Sequence, residues 1–138
     1  MRPALILWPA LTLMLWTFLV LVQVPIRRFH AVYRKRVVPQ DFLHGESSRV
    51  PADVALPNRV FMNLVEVPVI FYALVGFFFV TGLVTPTALA LAWLYVGLRL
   101  LHSLIYLTYN HVIHRFAVFA TSNLVVIALI LYLALQLP

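Results

Sequence analysis

The sequence predicts an all-α membrane protein, a four-helix transmembrane bundle forming one domain over residues 1–138. The first observation is composition: 64% of the 138 residues are hydrophobic and only 10% are charged, where a soluble domain carries roughly 25%. The second is the spacing of four apolar segments, each near the roughly 20 residues that a helix needs to cross about 30 Å of hydrocarbon. The third is charge asymmetry. Arg27, Arg28, Arg34, Lys35, Arg36, Arg49 and Arg59 fall between the first two segments and Arg115 falls between the last two, leaving Arg2 alone on the other side.

The first helix is placed at residues 3–25. Its apolar run is too long for a secretory leader, and no small-residue cleavage site follows it. The stretch RRFHAVYRKRVV then extends that helix out of the membrane, and Pro39, Pro51 and Pro57 break the regular structure after it. The loop 27–58 is the only sizeable segment outside the bilayer. The second helix is placed at 60–83, the third at 87–109 and the fourth at 116–137, with Pro86 suited to a helix start. Positive charge marks the cytoplasmic side, so the long loop and the third connection are cytoplasmic and both termini lie outside the cytoplasm. This is the topology of a multi-pass protein of a bacterial inner membrane. The net charge of +6 is accounted for by these topology signals and by contact with anionic lipid, not by nucleic acid. There is no cysteine, so any thiol chemistry uses a thiol brought by a substrate.

Ionisable groups at membrane depth are costly and face the protein interior. On the third helix, Arg99, His102 and Tyr106 share one sector at about 100° per residue, with Tyr95, Ser103 and Asn110 on or near it. On the second, Arg59, Asn63 and Glu66 stack at spacings of four and three. Counting the rise along these opposed helices puts Glu66 and Arg99 at comparable depth, so an ion pair between them, direct or through a neighbour, is expected. The expected result is a polar pocket open to the cytoplasm, lined by Arg59, Asn63, Glu66, Arg99, Tyr106 and Arg115. Its excess of arginine suits a ligand with several carboxylates. A network that only fixes helix packing accounts for the same residues equally well. His102, His111 and His114 have no acidic or thiol partner near in sequence, so no metal site is expected.

The segments RVFMNLVEVP (residues 59–68) and RLLHSLIY (residues 99–106), followed by Arg115, resemble MAPEG, the membrane-associated proteins in eicosanoid and glutathione metabolism. That family carries R-x-x-x-N-x-x-E on its second helix, here Arg59, Asn63 and Glu66. Its prostaglandin E synthase branch carries R-x-x-H-x-x-x-Y on the third, here Arg99, His102 and Tyr106. The resemblance implies a homotrimer of four-helix bundles that binds glutathione as co-substrate between subunits near the cytoplasmic face. It gives Arg59, Asn63, Glu66, Arg99 and Tyr106 glutathione contacts and gives Arg115 the catalytic role of stabilising the thiolate. Arg27 or Arg28 corresponds to a first-helix arginine that contributes in some members. Pro68 follows Glu66 by two residues where the family usually has three or four, so the local kink is expected to differ. The implied activity is glutathione-dependent transfer to, or peroxide reduction of, a lipophilic small molecule. The rival functions are a non-catalytic membrane protein that binds a lipid or anionic ligand, and a small transporter or assembly subunit.

Overall fold

The computed structural model describes residues 2–138. After a 3-10 turn at Pro3–Ile6, α1 runs over Leu7–Tyr33, α2 over Ala52–Val65, α3 over Pro68–Thr81, α4 over Pro86–Leu107 and α5 over Val112–Ala134. No strand occurs among the described residues. Four spans are long and apolar enough to cross a membrane, because α2 and α3 are the two halves of one of them. Large apolar side chains such as Trp8, Leu15, Phe18, Val80 and Leu124 point outward. In water so much exposed apolar surface would drive association; in hydrocarbon it is the ordinary covering of a span.

α1 has 27 residues, about 40 Å at 1.5 Å per residue, so it overshoots the hydrocarbon as the sequence suggests. The second span departs from expectation. It begins at Ala52 rather than near residue 60, and Pro57 lies inside the helix, so the irregular part of the loop is only 34–51. A proline has no N–H for the carbonyl four residues back, which here is Asp53. Arg27 Nη1 donates to that carbonyl at 3.1 Å and removes the objection to Pro57. The span then breaks. The last rung of α2 is Glu66 N–H to the Met62 carbonyl at 3.1 Å, and Pro68 opens α3 at its first position, where a missing N–H is harmless. The buried stripe passes through the break without losing register: Pro57, Val60, Leu64, Pro68, Phe71, Val75 and Phe78 repeat at threes and fours.

α3 closes on Gly82 at φ +70°, a left-handed position that favours glycine. Thr85 caps α4: its Oγ1 accepts from Ala88 N–H at 3.1 Å and pairs with Tyr132 of α5 at 2.9 Å. α4 is the centre of the bundle. It packs along α5 and also against α1 and α2, and small Ala88 and Ala92, both fully buried, permit the close approach usual between membrane helices. Phe71 stacks on Tyr95 at 4.5 Å between ring centres. Trp16 of α1 donates to Ser103 Oγ at 2.8 Å, which fixes α1 to the polar face of α4.

Residues 34–51 fold back as a strap over the end of α1. Val37 packs with Ala31 and Val54. Arg36 grips the Asp53 carboxylate with two bonds of 2.9 Å. Asp41 accepts from Val38 N–H at 3.0 Å and from the Ser47 hydroxyl at 2.9 Å, and these bonds hold its carboxyl below the usual carboxylate range, the Val38 bond most strongly. A lowered value in the folded state means that the contribution is complete above the ordinary value and is lost as pH falls through the lowered one. Protection of the amides of residues 38–47, taken as exchange relative to the free-chain rate at each pH, is therefore expected to hold from neutrality through mild acid and to fall only below the ordinary carboxylate value. Asp41→Asn should exchange faster across the whole range and lose that step.

Candidate functional site

α4 presents its polar stripe inward, as its spacing predicts. Tyr95, Arg99, His102 and Ser103 are buried and Tyr106 is half-buried. Toward the α4–α5 end the stripe opens into a cavity of about 250 Å³ lined by Asn63, His102, Tyr106, Arg115 and the apolar Val112, Phe116 and Phe119. Arg99 does not line the cavity; it is fully buried one turn deeper along α4 than His102, about 12 Å below the α4 C-terminus at 1.5 Å per residue. Its Nη2 donates to the backbone carbonyl of Asn63, next to the break in the second span. Its guanidinium carbon lies 5.5 Å from the centre of the Phe119 ring. The remaining Nε and Nη1 of Arg99 are buried without a hydrogen-bond partner, as is the Tyr95 hydroxyl.

No direct salt bridge joins Glu66 to Arg99. The salt bridges among the described residues are Arg28 with Glu46 and Arg36 with Asp53, and Glu66 is exposed. The second span is interrupted between Val65 and Pro68, so Glu66 does not continue the helical face of Arg59 and Asn63. The break instead supplies Arg99 with a main-chain acceptor, and Glu66, at the C-cap of α2 with ψ −83°, turns outward. Arg59 is exposed too, while the Asn63 side chain donates to the Arg59 carbonyl at 3.0 Å. Of the six residues expected around the pocket, Asn63, Tyr106 and Arg115 line the cavity and Arg99 lies beneath it. Arg59 and Glu66 are outside it in the single chain.

Arg115 is held from two sides. Its Nη1 donates to Asn110 Oδ1 at 2.6 Å, and its guanidinium carbon sits 4.0 Å over the Tyr106 ring, close enough for a cation–π attraction. Asn110, in the turn between α4 and α5, has φ +47°, a left-handed conformation that asparagine tolerates better than most residues, and the tight turn brings its amide back over the start of α5. The role of Asn110 and the apolar wall of Phe116 and Phe119 were not recognised from sequence. The signal for the wall was present: on α5, Arg115, Phe116 and Phe119 occupy one side of the helix at offsets of one and four. His102, on the expected polar stripe but not among the residues expected to line the pocket, lines the cavity with its ring 5.7 Å from that of Phe119. No cluster able to hold a metal occurs among the described residues.

A cavity of about 250 Å³ is below the roughly 300–1,000 Å³ of ordinary small-molecule sites.

The model of the MAPEG family matches residues 6–135. No curated protein and no solved structure matches the chain. With four apolar spans, a helical bundle without strands among its described residues and a family match over nearly its whole length, the chain is an integral, multi-pass membrane protein and belongs to the MAPEG family.

Proposed function

We propose that the protein is a membrane-bound glutathione-dependent transferase or peroxidase acting on a lipophilic substrate. It works as a single-domain chain in a homotrimer, with both termini outside the cytoplasm of a bacterial inner membrane. The observation that carries this reading is an arginine fixed at the edge of a half-enclosed polar cavity. Arg115 has one edge on Asn110 and one face on Tyr106, which leaves the rest of its planar fork for an anion. Asn63, Tyr106 and Arg99 hold the peptide part of glutathione, and Arg59 and Glu66 complete the site where a second subunit closes over them. The likeness of Arg99, His102 and Tyr106 to the prostaglandin E synthase pattern belongs to this reading.

The chemistry asked of the protein is small. Glutathione supplies a thiol, and an ordinary thiol with a pKa near 8.5 is mostly protonated at neutral pH. A guanidinium beside the sulfur favours the thiolate. Phe116 and Phe119 give the sulfur an apolar approach along which a bilayer-dissolved electrophile arrives. The test is glutathione binding to detergent-solubilised protein, followed by ultraviolet absorbance for the thiolate and by conjugation to a generic aromatic electrophile. Binding with a thiolate signal at neutral pH supports the reading. Binding without that signal and without turnover identifies a non-catalytic binding protein instead.

Asn110 should show itself as a positioning residue. Asn110→Ala frees one edge of Arg115, and kcat is expected to fall about tenfold, the change produced by roughly 1.4 kcal/mol at the transition state, with glutathione affinity nearly unchanged. Asn110→Asp keeps the acceptor and should restore most of the rate. Equal rates for wild type and Asn110→Ala would show that the 2.6 Å bond does not orient Arg115 during turnover.

A further inference from the structure

At the far end of α1 the strap encloses a second hollow, of about 350 Å³, that the proposed activity does not use. Pro25, Phe29 and Val32 form its floor on one stripe of α1, and Pro39 and Phe42 of the strap form its roof. Only Arg28 brings polarity to the lining. Its guanidinium lies 4.8 Å over the Phe42 ring and holds Glu46 through a single 3.0 Å bond, while its Nε is buried without a partner. Phe29 is 75% exposed and Leu43 72%, so apolar surface continues out of the hollow. Arg27, Arg34, Lys35 and Arg49 stand in the same short segment, with Glu46 and Asp41 the acidic residues between Arg27 and Arg49. Asp41 is already engaged with Val38 and Ser47.

We propose that this hollow is a binding site for an anionic phospholipid of the surrounding bilayer. Location, shape and charge all lead there. The α1 stripe enters the hollow directly from the membrane span at Val24 and Pro25, so an acyl chain reaches it without leaving hydrocarbon. The roof then turns the chain's polar end toward Arg28, whose free N–H meets a phosphodiester oxygen. The positive charge of Arg28 repels the ammonium of a zwitterionic headgroup and so selects a headgroup with net negative charge. Glu46 opposes the lipid: its carboxylate occupies part of the same guanidinium, so lipid binding loosens the Arg28–Glu46 pair and with it the strap. The site is independent of the glutathione reading.

The experiment is native mass spectrometry of the purified full chain in neutral detergent, offered equal amounts of phosphatidylglycerol and phosphatidylcholine with identical acyl chains. Wild type is expected to retain the anionic lipid about fivefold or more over the zwitterionic one, the selectivity of one cation near a membrane surface. Arg28→Gln should erase that preference. Arg34→Gln, at the exposed α1 C-cap, should leave it intact. Glu46→Gln should strengthen the preference although it removes a salt bridge, a sign that a purely structural role for Glu46 does not produce. Phe29→Gln changes an exposed wall and should weaken both lipids alike. Equal retention of the two lipids by wild type overturns the proposal. So does loss of preference in Arg34→Gln as large as in Arg28→Gln, which would mean diffuse surface charge. Competition by chain-free glycerol phosphate as strong as by intact lipid also overturns it, since the apolar hollow would then hold nothing. Should Arg28→Gln fail to fold, an unchanged preference in Glu46→Gln decides against the site alone.

Discussion

Arg115→Ala is expected to retain most of the glutathione affinity while the thiolate absorbance disappears and turnover falls tenfold or more. The reason is the division of labour around the cavity. Asn63 and Tyr106 line it with Arg115, and under the proposed function these two, with Arg99, Arg59 and Glu66, hold the carboxylates and amine of glutathione when Arg115 is removed. What is lost is the guanidinium that lines the cavity. Each factor of ten corresponds to about 1.4 kcal/mol of stabilisation that the transition state no longer receives. Arg115→Lys keeps the charge but cannot lie flat on Tyr106 while also reaching Asn110, so an intermediate rate is expected. Arg115→Ala indistinguishable from wild type in both absorbance and turnover would remove Arg115 from the catalytic role, even with glutathione bound.

Arg99→Ala is expected to lower stability by about 3 kcal/mol, from a cavity in a packed interior and from a carbonyl at the helix break left without its donor. Arg99→Met separates these causes. It nearly preserves volume, loses the bond to the Asn63 carbonyl, and also removes the two guanidinium nitrogens that are buried without partners. An apolar replacement of a buried charge is often neutral or better when its polar neighbours are few. Arg99→Met should therefore recover at least half of the lost stability in detergent melting while binding glutathione worse than wild type. Equal destabilisation by both substitutions would show that the hydrogen bond outweighs the packing. Undiminished glutathione affinity in Arg99→Met would show that Arg99 serves the fold alone.

The four spans were legible because lipid imposes a single length and a single polarity on a helix, and the inward stripe of α4 was legible because Arg99, His102 and Tyr106 have no tolerable alternative. What the sequence hid depended on compensation at a distance. Pro57 reads as a breaker until Arg27, thirty positions earlier, is seen to take the carbonyl that proline leaves unbonded. Glu66 and Arg99 read as a buried pair because opposite charges at one depth are the cheapest local solution. A main-chain acceptor opened by the break at Glu66 and Pro68 has no signature in side-chain identity. The hold of Asn110 on Arg115 was hidden likewise, since it needs the left-handed turn that ends α4 two residues earlier than the apolar run suggested.

The broken second span also separates two kinds of constraint on one position. Because Arg99 is anchored by the backbone of residue 63, the anchor survives any side chain that fits there. Asn63 is thus answerable for its amide only at the cavity wall and to the Arg59 carbonyl, not for keeping a buried cation in place. Drift at residue 63 can retune the ligand without endangering the bundle, whereas drift at Pro68 puts at risk the opening on which the anchor depends. The partition is between a replaceable side chain and a main-chain atom that no substitution at residue 63 removes.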